Sequence, residues 1–193
     1  SVALACRRAG LDVLLQDVSK RHLRTASGLG AGRVMSSDDR PSLIVIATPP
    51  QHLATAISDA LERHPDAFVT DVGSVKGAPV RELAGQPGLE RYVGSHPMAG
   101  SERSGPLAAT DALFDGRPWA VTPHATSLPE AVEAVVELTR ICGAVATVLT
   151  PEDHDRAVAR TSHLPHLAAV LVAGRLADAP LEHRRRLIQV QRG

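Results

Sequence analysis

Short apolar runs alternate along this chain with stretches in which apolar residues recur every three or four positions. Residues 43–47, L-I-V-I-A, are an unbroken apolar run, the pattern of a parallel strand covered on both faces. Val13, Leu14 and Leu15 read as a short buried strand. Residues 67–70, Tyr92 with Val93, residues 119–121 and residues 144–149 are further runs of this kind. Between them the spacing predicts helices. Residues 1–9 present an apolar face and stop at Gly10, a C-terminal cap. Ser19 caps a helix running toward Gly28, residues 51–63 form an amphipathic helix, and residues 79–84 form a shorter one. Ser127 and Glu130 make a capping box for a helix that reaches Ile141 and stops at Gly143. After Leu149 the pattern changes. Thr150, Pro151, Glu152 and Asp153 are a helix start, with a capping hydroxyl, proline in the first position and acids in the first turn.

Strands and helices alternating at this spacing predict an α/β fold: a doubly wound, Rossmann-like, mostly parallel sheet. The opening helix and strand read as the second half of a dinucleotide-binding unit. The chain starts about where the last glycine of that unit's phosphate turn would stand, so the sheet is expected to lack its first strand and that turn. Residues 1–149 form the dinucleotide-binding domain on this reading, and residues 150–193 begin a helical domain.

Composition narrows the function. Hydrophobic residues are 44% and charged residues 22%, a globular balance, and the formal net charge is zero. No basic stripe alternates with aromatics, which argues against a nucleic-acid partner. No apolar run is long enough to span a membrane, and no secretory signal opens the chain. Cys6 and Cys142 are the only cysteines. Both lie in apolar helical patterns and read as reduced core residues of a cytoplasmic protein.

Ligands of doubly wound sheets bind beyond the carboxyl ends of the strands. Asp17, Thr48, Pro49, Ser74 and His96 all fall at such ends in this reading, several polar residues on one edge of one sheet. His96 belongs to G-S-H-P-M-A-G-S-E-R-S-G, residues 94–105, which reads as a loop leaving Tyr92 and Val93. Pro97 restricts His96 to extended backbone, and a histidine held there can take up a proton near neutral pH. An ordinary solvated loop histidine is the alternative. Asp17 reads either as the acid that holds a cofactor ribose or as a solvated loop acid. In the first case its charge favours NAD over NADP, whose additional phosphate it repels. His163 and His166, three apart beside Pro165, are either an exposed pair or a pair facing a cleft. No carboxylate or cysteine is spaced to complete a tetrahedral metal set with them.

D-V-G-S-V-K at residues 71–76, the histidine segment at 94–105, Thr122-Pro123, and T-S-H-L-P-H at 161–166 together resemble the prephenate and arogenate dehydrogenases of tyrosine biosynthesis. The resemblance runs over nearly the whole chain. It implies a dinucleotide-binding domain followed by a helical domain that pairs two subunits. It also implies the reaction: oxidative decarboxylation of prephenate with NAD, giving 4-hydroxyphenylpyruvate, carbon dioxide and NADH. His96 matches the catalytic histidine, and Ser74 a serine near the substrate hydroxyl and the nicotinamide. His166 matches a substrate-contacting histidine, Glu102 an acid at the mouth of the site, and Ser162 stands with them on the substrate side. The family's glycine-rich turn and its carboxylate-clamping arginine have no match here, so the chain by itself is expected to be nearly inactive and prone to aggregate. Arogenate as substrate, a nucleotide-binding relative without catalysis, and another dehydrogenase of the same architecture remain as alternatives. The joint presence of Ser74, His96 and His166 favours an enzyme.

Overall fold

The computed structural model describes residues 1–100 and 105–160. Glu102, Ser162, His163 and His166 lie outside the described residues, as does the kink expected at Pro165. The chain divides into two compact units, Ser1–His154 and Asp155–Gly193.

In chain order the elements are α1 (Val2–Arg8), β1 (Leu14–Leu15), α2 (Lys20–Gly28), β2 (Arg33–Val34) and β3 (Leu43–Ile46). There follow α3 (Leu53–Arg63), β4 (Phe68–Asp71), α4 (Gly77–Glu82), β5 (Tyr92–Pro97) and β6 (Pro118–Thr122). The last are α5 (Pro129–Ile141), β7 (Val145–Val148) and α6 (Pro151–Val158). Five strands form one sheet in the order β3-β4-β5-β6-β7, and β1 with β2 forms a separate parallel ladder. Strands β3, β4 and β5 run parallel; β6 is antiparallel to β5, and β7 is parallel to β6. The sheet is thus Rossmann-like and mostly parallel.

The helices cover the sheet as their apolar spacing requires. In α3 the buried residues are Leu53, Ile57, Ala60 and Leu61, a single stripe that packs with Val69 and Tyr92. In α5 they are Ala131, Val135, Leu138 and Thr139. Ala131 and Val135 pack with Val93 and Val121. A third cluster joins Ala5 and Cys6 of α1 to Phe114, Trp119, Leu138 and Cys142. Both cysteines are buried free thiols. The guanidinium of Arg91 donates to the carbonyls of Leu61, His64 and Ala67 at 2.7–2.9 Å, closing the C-terminal end of α3 with a positive charge.

Several local expectations are corrected. The capping box does not form: α5 begins at Pro129, and Ser127 Oγ instead accepts from His124 N–H at 3.0 Å and donates to Tyr92 O at 3.3 Å. Proline in the first turn has no N–H to cap, which frees Ser127 for the neighbouring strand. Helix α4 starts at Gly77, two residues before the apolar pattern does. β1 is half-buried, not buried, because only a two-residue partner covers it. That partner, Arg33–Val34, has no apolar alternation to announce it. By contrast Ser19 caps α2, its Oγ accepting from His22 N–H at 3.3 Å. Thr150 Oγ1 likewise accepts from Asp153 N–H at 3.1 Å at the start of α6.

Candidate active site

His96 lies in strand β5, not in a loop after it. Residues 94–97 pair antiparallel with residues 119–122 of β6, His96 opposite Ala120. The apolar run ends at Val93, so the pattern hid the extension; β6 supplies the ladder that continues it. His96 is therefore held by strand pairing on both its sequence neighbours and is partly buried. Its Nδ1 stands 2.9 Å from Nε2 of His154, in the first turn of α6.

Because β3, β4 and β5 are parallel, their carboxyl ends share one edge. Thr48 and Pro49 follow β3 on that edge, Ser74 follows β4, and His96 stands near the end of β5; Thr48, Pro49 and Ser74 are exposed. Asp17 is different. It follows β1, in the separate two-stranded ladder, so backbone pairing does not bring it onto the edge the other four share. It is exposed, and its Oδ1 accepts from Ser19 N–H at 2.7 Å. A small cavity of about 130 Å³ opens beside Ser74, lined by Pro50, Leu53, Ala54, Pro79 and Glu82 among others. A larger open groove of about 520 Å³ lies between α1 and residues 109–111 and contains none of these candidates.

Beneath His96 lies a buried polar network that sequence reasoning did not single out. Asp71 ends β4 and Lys76 precedes α4, and both side chains are fully buried. Lys76 Nζ is paired with Asp71 Oδ2 and also donates to Ser95 O at 2.8 Å. Asp71 accepts further from Tyr92 Oη–H at 2.7 Å, Gly73 N–H at 2.8 Å and Ser95 N–H at 3.4 Å. Ser95 Oγ donates to Asp71 O at 2.6 Å. A buried ion pair is tolerable because these donors satisfy the carboxylate's remaining lone pairs. Burial, and after it the Asp71 carboxylate, push the Tyr92 phenol well above its ordinary pKa, so it remains a donor. The network ties β4 to β5 at Ser95, the residue before His96.

The same network explains two glycines of the sequence motifs. A Cβ on Gly94 would lie 2.7 Å from Thr122 Oγ1 and 3.2 Å from Lys76 Cδ. A Cβ on Gly73 would lie 2.9 Å from Asp71 Oδ2. Neither position has room for a side chain. The signal that could have exposed the network was an acid ending a β-branched run with a lysine five residues on. Among the described residues no group of three or more His, Cys, Asp or Glu side chains is placed to hold a metal ion. No helix among them is long and apolar enough to cross a membrane.

The family described as "Prephenate dehydrogenase, nucleotide-binding domain" matches residues 2–148. This chain belongs to the prephenate dehydrogenase family. A second family, "Prephenate dehydrogenase, dimerization domain", matches residues 150–189. A probable prephenate dehydrogenase, NovF, of Streptomyces niveus is 42% identical over 180 residues, covering 93% of this chain and 50% of that protein. The prephenate dehydrogenase of Bacillus subtilis is 31% identical, covering 88% of this chain and 48% of its own length. The chain thus spans about half the length of the curated relatives it matches. Among solved structures, prephenate dehydrogenase from A. aeolicus in complex with hydroxyphenyl propionate and NAD+ superposes with a TM-score of 0.85. It is 29% identical, and the match covers 94% of this chain and 66% of that one.

Proposed function

We propose that this chain carries the nucleotide-binding part and the reaction centre of an NAD-dependent prephenate dehydrogenase. The observation that carries the reading is His96 on β5, set on the edge shared by Thr48, Pro49 and Ser74, in a chain of this family. Prephenate is favoured over arogenate because the relatives described above are named for it. The match of residues 150–189 to a dimerization domain supports a homodimer.

The residues fit NAD. Asp17 is an exposed carboxylate past the end of β1, suited to accept from the vicinal hydroxyls of a ribose. Thr48 and Ser74 offer hydroxyls on the edge where a nicotinamide would meet His96. When bound, NAD supplies the acceptor for the hydride that leaves the substrate carbinol carbon. His96 accepts the hydroxyl proton as that hydride leaves, which lets the carbonyl form. Ser74 orients the same hydroxyl. The ring carboxylate then departs as carbon dioxide, its bonding pair enters the ring, and the resulting phenolate recovers a proton. Aromatisation drives this second step, so His96 and Ser74 need only serve the first. Glu102, Ser162 and His166 complete the proposal on the substrate side.

Incubated with prephenate and NAD, the protein carrying this chain at the full length of its relatives is expected to yield NADH, carbon dioxide and 4-hydroxyphenylpyruvate in equal amounts. Equal NADH formation from arogenate and none from prephenate would reverse the substrate assignment. Asp17→Ser is expected to lower kcat/KM for NAD by about 10-fold, the worth of one hydrogen bond to a charged group, and to narrow the preference over NADP. An unchanged NAD to NADP ratio would show that Asp17 does not read the ribose.

A further inference from the structure

We propose that His154 is a positioning residue for His96: its Nε2 accepts the Nδ1–H of His96 and thereby sets the tautomer in which the basic lone pair of His96 lies on Nε2. This deepens the function proposed above and rests on it. The two nitrogens are 2.9 Å apart, and the rings meet edge-on with centroids 5.2 Å apart and planes inclined by 74°. One proton lies between two such nitrogens, and it has two possible owners. If His154 donates, His96 Nδ1 is an acceptor. A neutral His96 then carries its own proton on Nε2 and has no lone pair left for a hydroxyl. If His96 donates, the basic lone pair lies on its Nε2. Only the second arrangement makes His96 a general base.

The surroundings of His154 suit the accepting role. It is 2% exposed, so water does not compete for its Nε2. It sits in the first turn of α6, where its backbone N–H donates to Thr150 O at 3.0 Å and Thr150 Oγ1 caps Asp153. A capped, proline-led turn is a rigid mount for a side chain. Strand pairing holds His96 just as firmly from the other side. When His96 takes up the substrate proton on Nε2, its Nδ1–H becomes a cationic donor. The bond to His154 then becomes charge-assisted and stronger. The pair therefore stabilises the protonated His96 that the reaction creates, as an orienting acceptor does behind a catalytic imidazole. His154 need not touch the substrate for this.

The tautomer can be read without substrate or cofactor. Nitrogen-15 NMR of histidine-labelled protein, with the His96 signals assigned by their loss in His96→Asn, is expected to show neutral His96 protonated on Nδ1. In the protein at the full length of its relatives, His154→Leu is expected to move His96 toward the Nε2–H tautomer and to lower kcat by about 10- to 100-fold, with KM for prephenate and NAD affinity little changed. His154→Gln places an amide oxygen where Nε2 stood. It is expected to restore the Nδ1–H tautomer and to recover most of the lost turnover. Wild-type His96 carrying its neutral proton on Nε2 would overturn the proposal, and so would a folded His154→Leu variant with unaltered kcat. Should His154→Leu not fold, the wild-type tautomer and the Gln variant still decide. Failure to oxidise prephenate would refute the assigned reaction while leaving the tautomer measurement to judge the histidine pair.

Discussion

His96→Asn, made in the protein at the full length of its relatives, is expected to lower kcat for prephenate oxidation by about 10²- to 10⁴-fold, the usual contribution of a positioned general base. The asparagine amide keeps a polar group near the Nδ1 position but has no basic nitrogen to take the hydroxyl proton. The loss should fall on kcat, because the proton moves only in the transition state; KM for prephenate should change far less. NAD affinity, measured by calorimetry, should stay close to that of the unaltered protein, since Asp17 and the edge residues are untouched. The fold should survive as well. His96 is held by the backbone ladder between β5 and β6, and its side chain is only partly buried. Turnover within twofold of the unaltered protein would remove His96 from the mechanism.

Lys76→Met is expected to cost about 3–5 kcal/mol of stability, because it leaves the fully buried Asp71 carboxylate without its counter-charge. For a chain of this size that corresponds to a drop in Tm of about 6–20 °C. The loss also removes the donor to Ser95 O, so the backbone just before His96 loses a tie to β4. Methionine matches the lysine stem in length, which separates the charge effect from the loss of side-chain volume. Adding Asp71→Asn to Lys76→Met should recover part of the loss, since a neutral amide costs less to bury than an unpaired carboxylate. Thermal unfolding of the single and double variants checks both statements. A single variant as stable as the parent would mean that the pair contributes nothing to folding.

The alternation of apolar runs and amphipathic stretches determined most of the architecture by itself. Residues 43–47 and the stripes of α3 and α5 each encode a face that must be covered, and an α/β sheet is the arrangement that covers them all. Helix caps at Ser19 and Thr150 were equally legible, because a capping hydroxyl acts within its own turn. So were Thr48, Ser74 and His96 as candidates, since small polar residues after apolar runs mark strand ends. What the linear order does not contain is pairing between distant segments. The antiparallel β6 turns residues 94–97 from a loop into strand, and the separate β1–β2 ladder takes Asp17 out of the main sheet. The Ser127 box fails because a hydroxyl that could cap α5 finds Tyr92 O, 35 residues away in sequence, instead. A lysine side chain is almost never fully buried unless it is paired. Lys76 is buried because Asp71 and Ser95 O converge on it from separate strands, and only the folded chain supplies that compensation. His154 meets His96 across 58 positions for the same reason: a hydrogen bond between side chains is set by where two rigid elements end, and tertiary packing decides that.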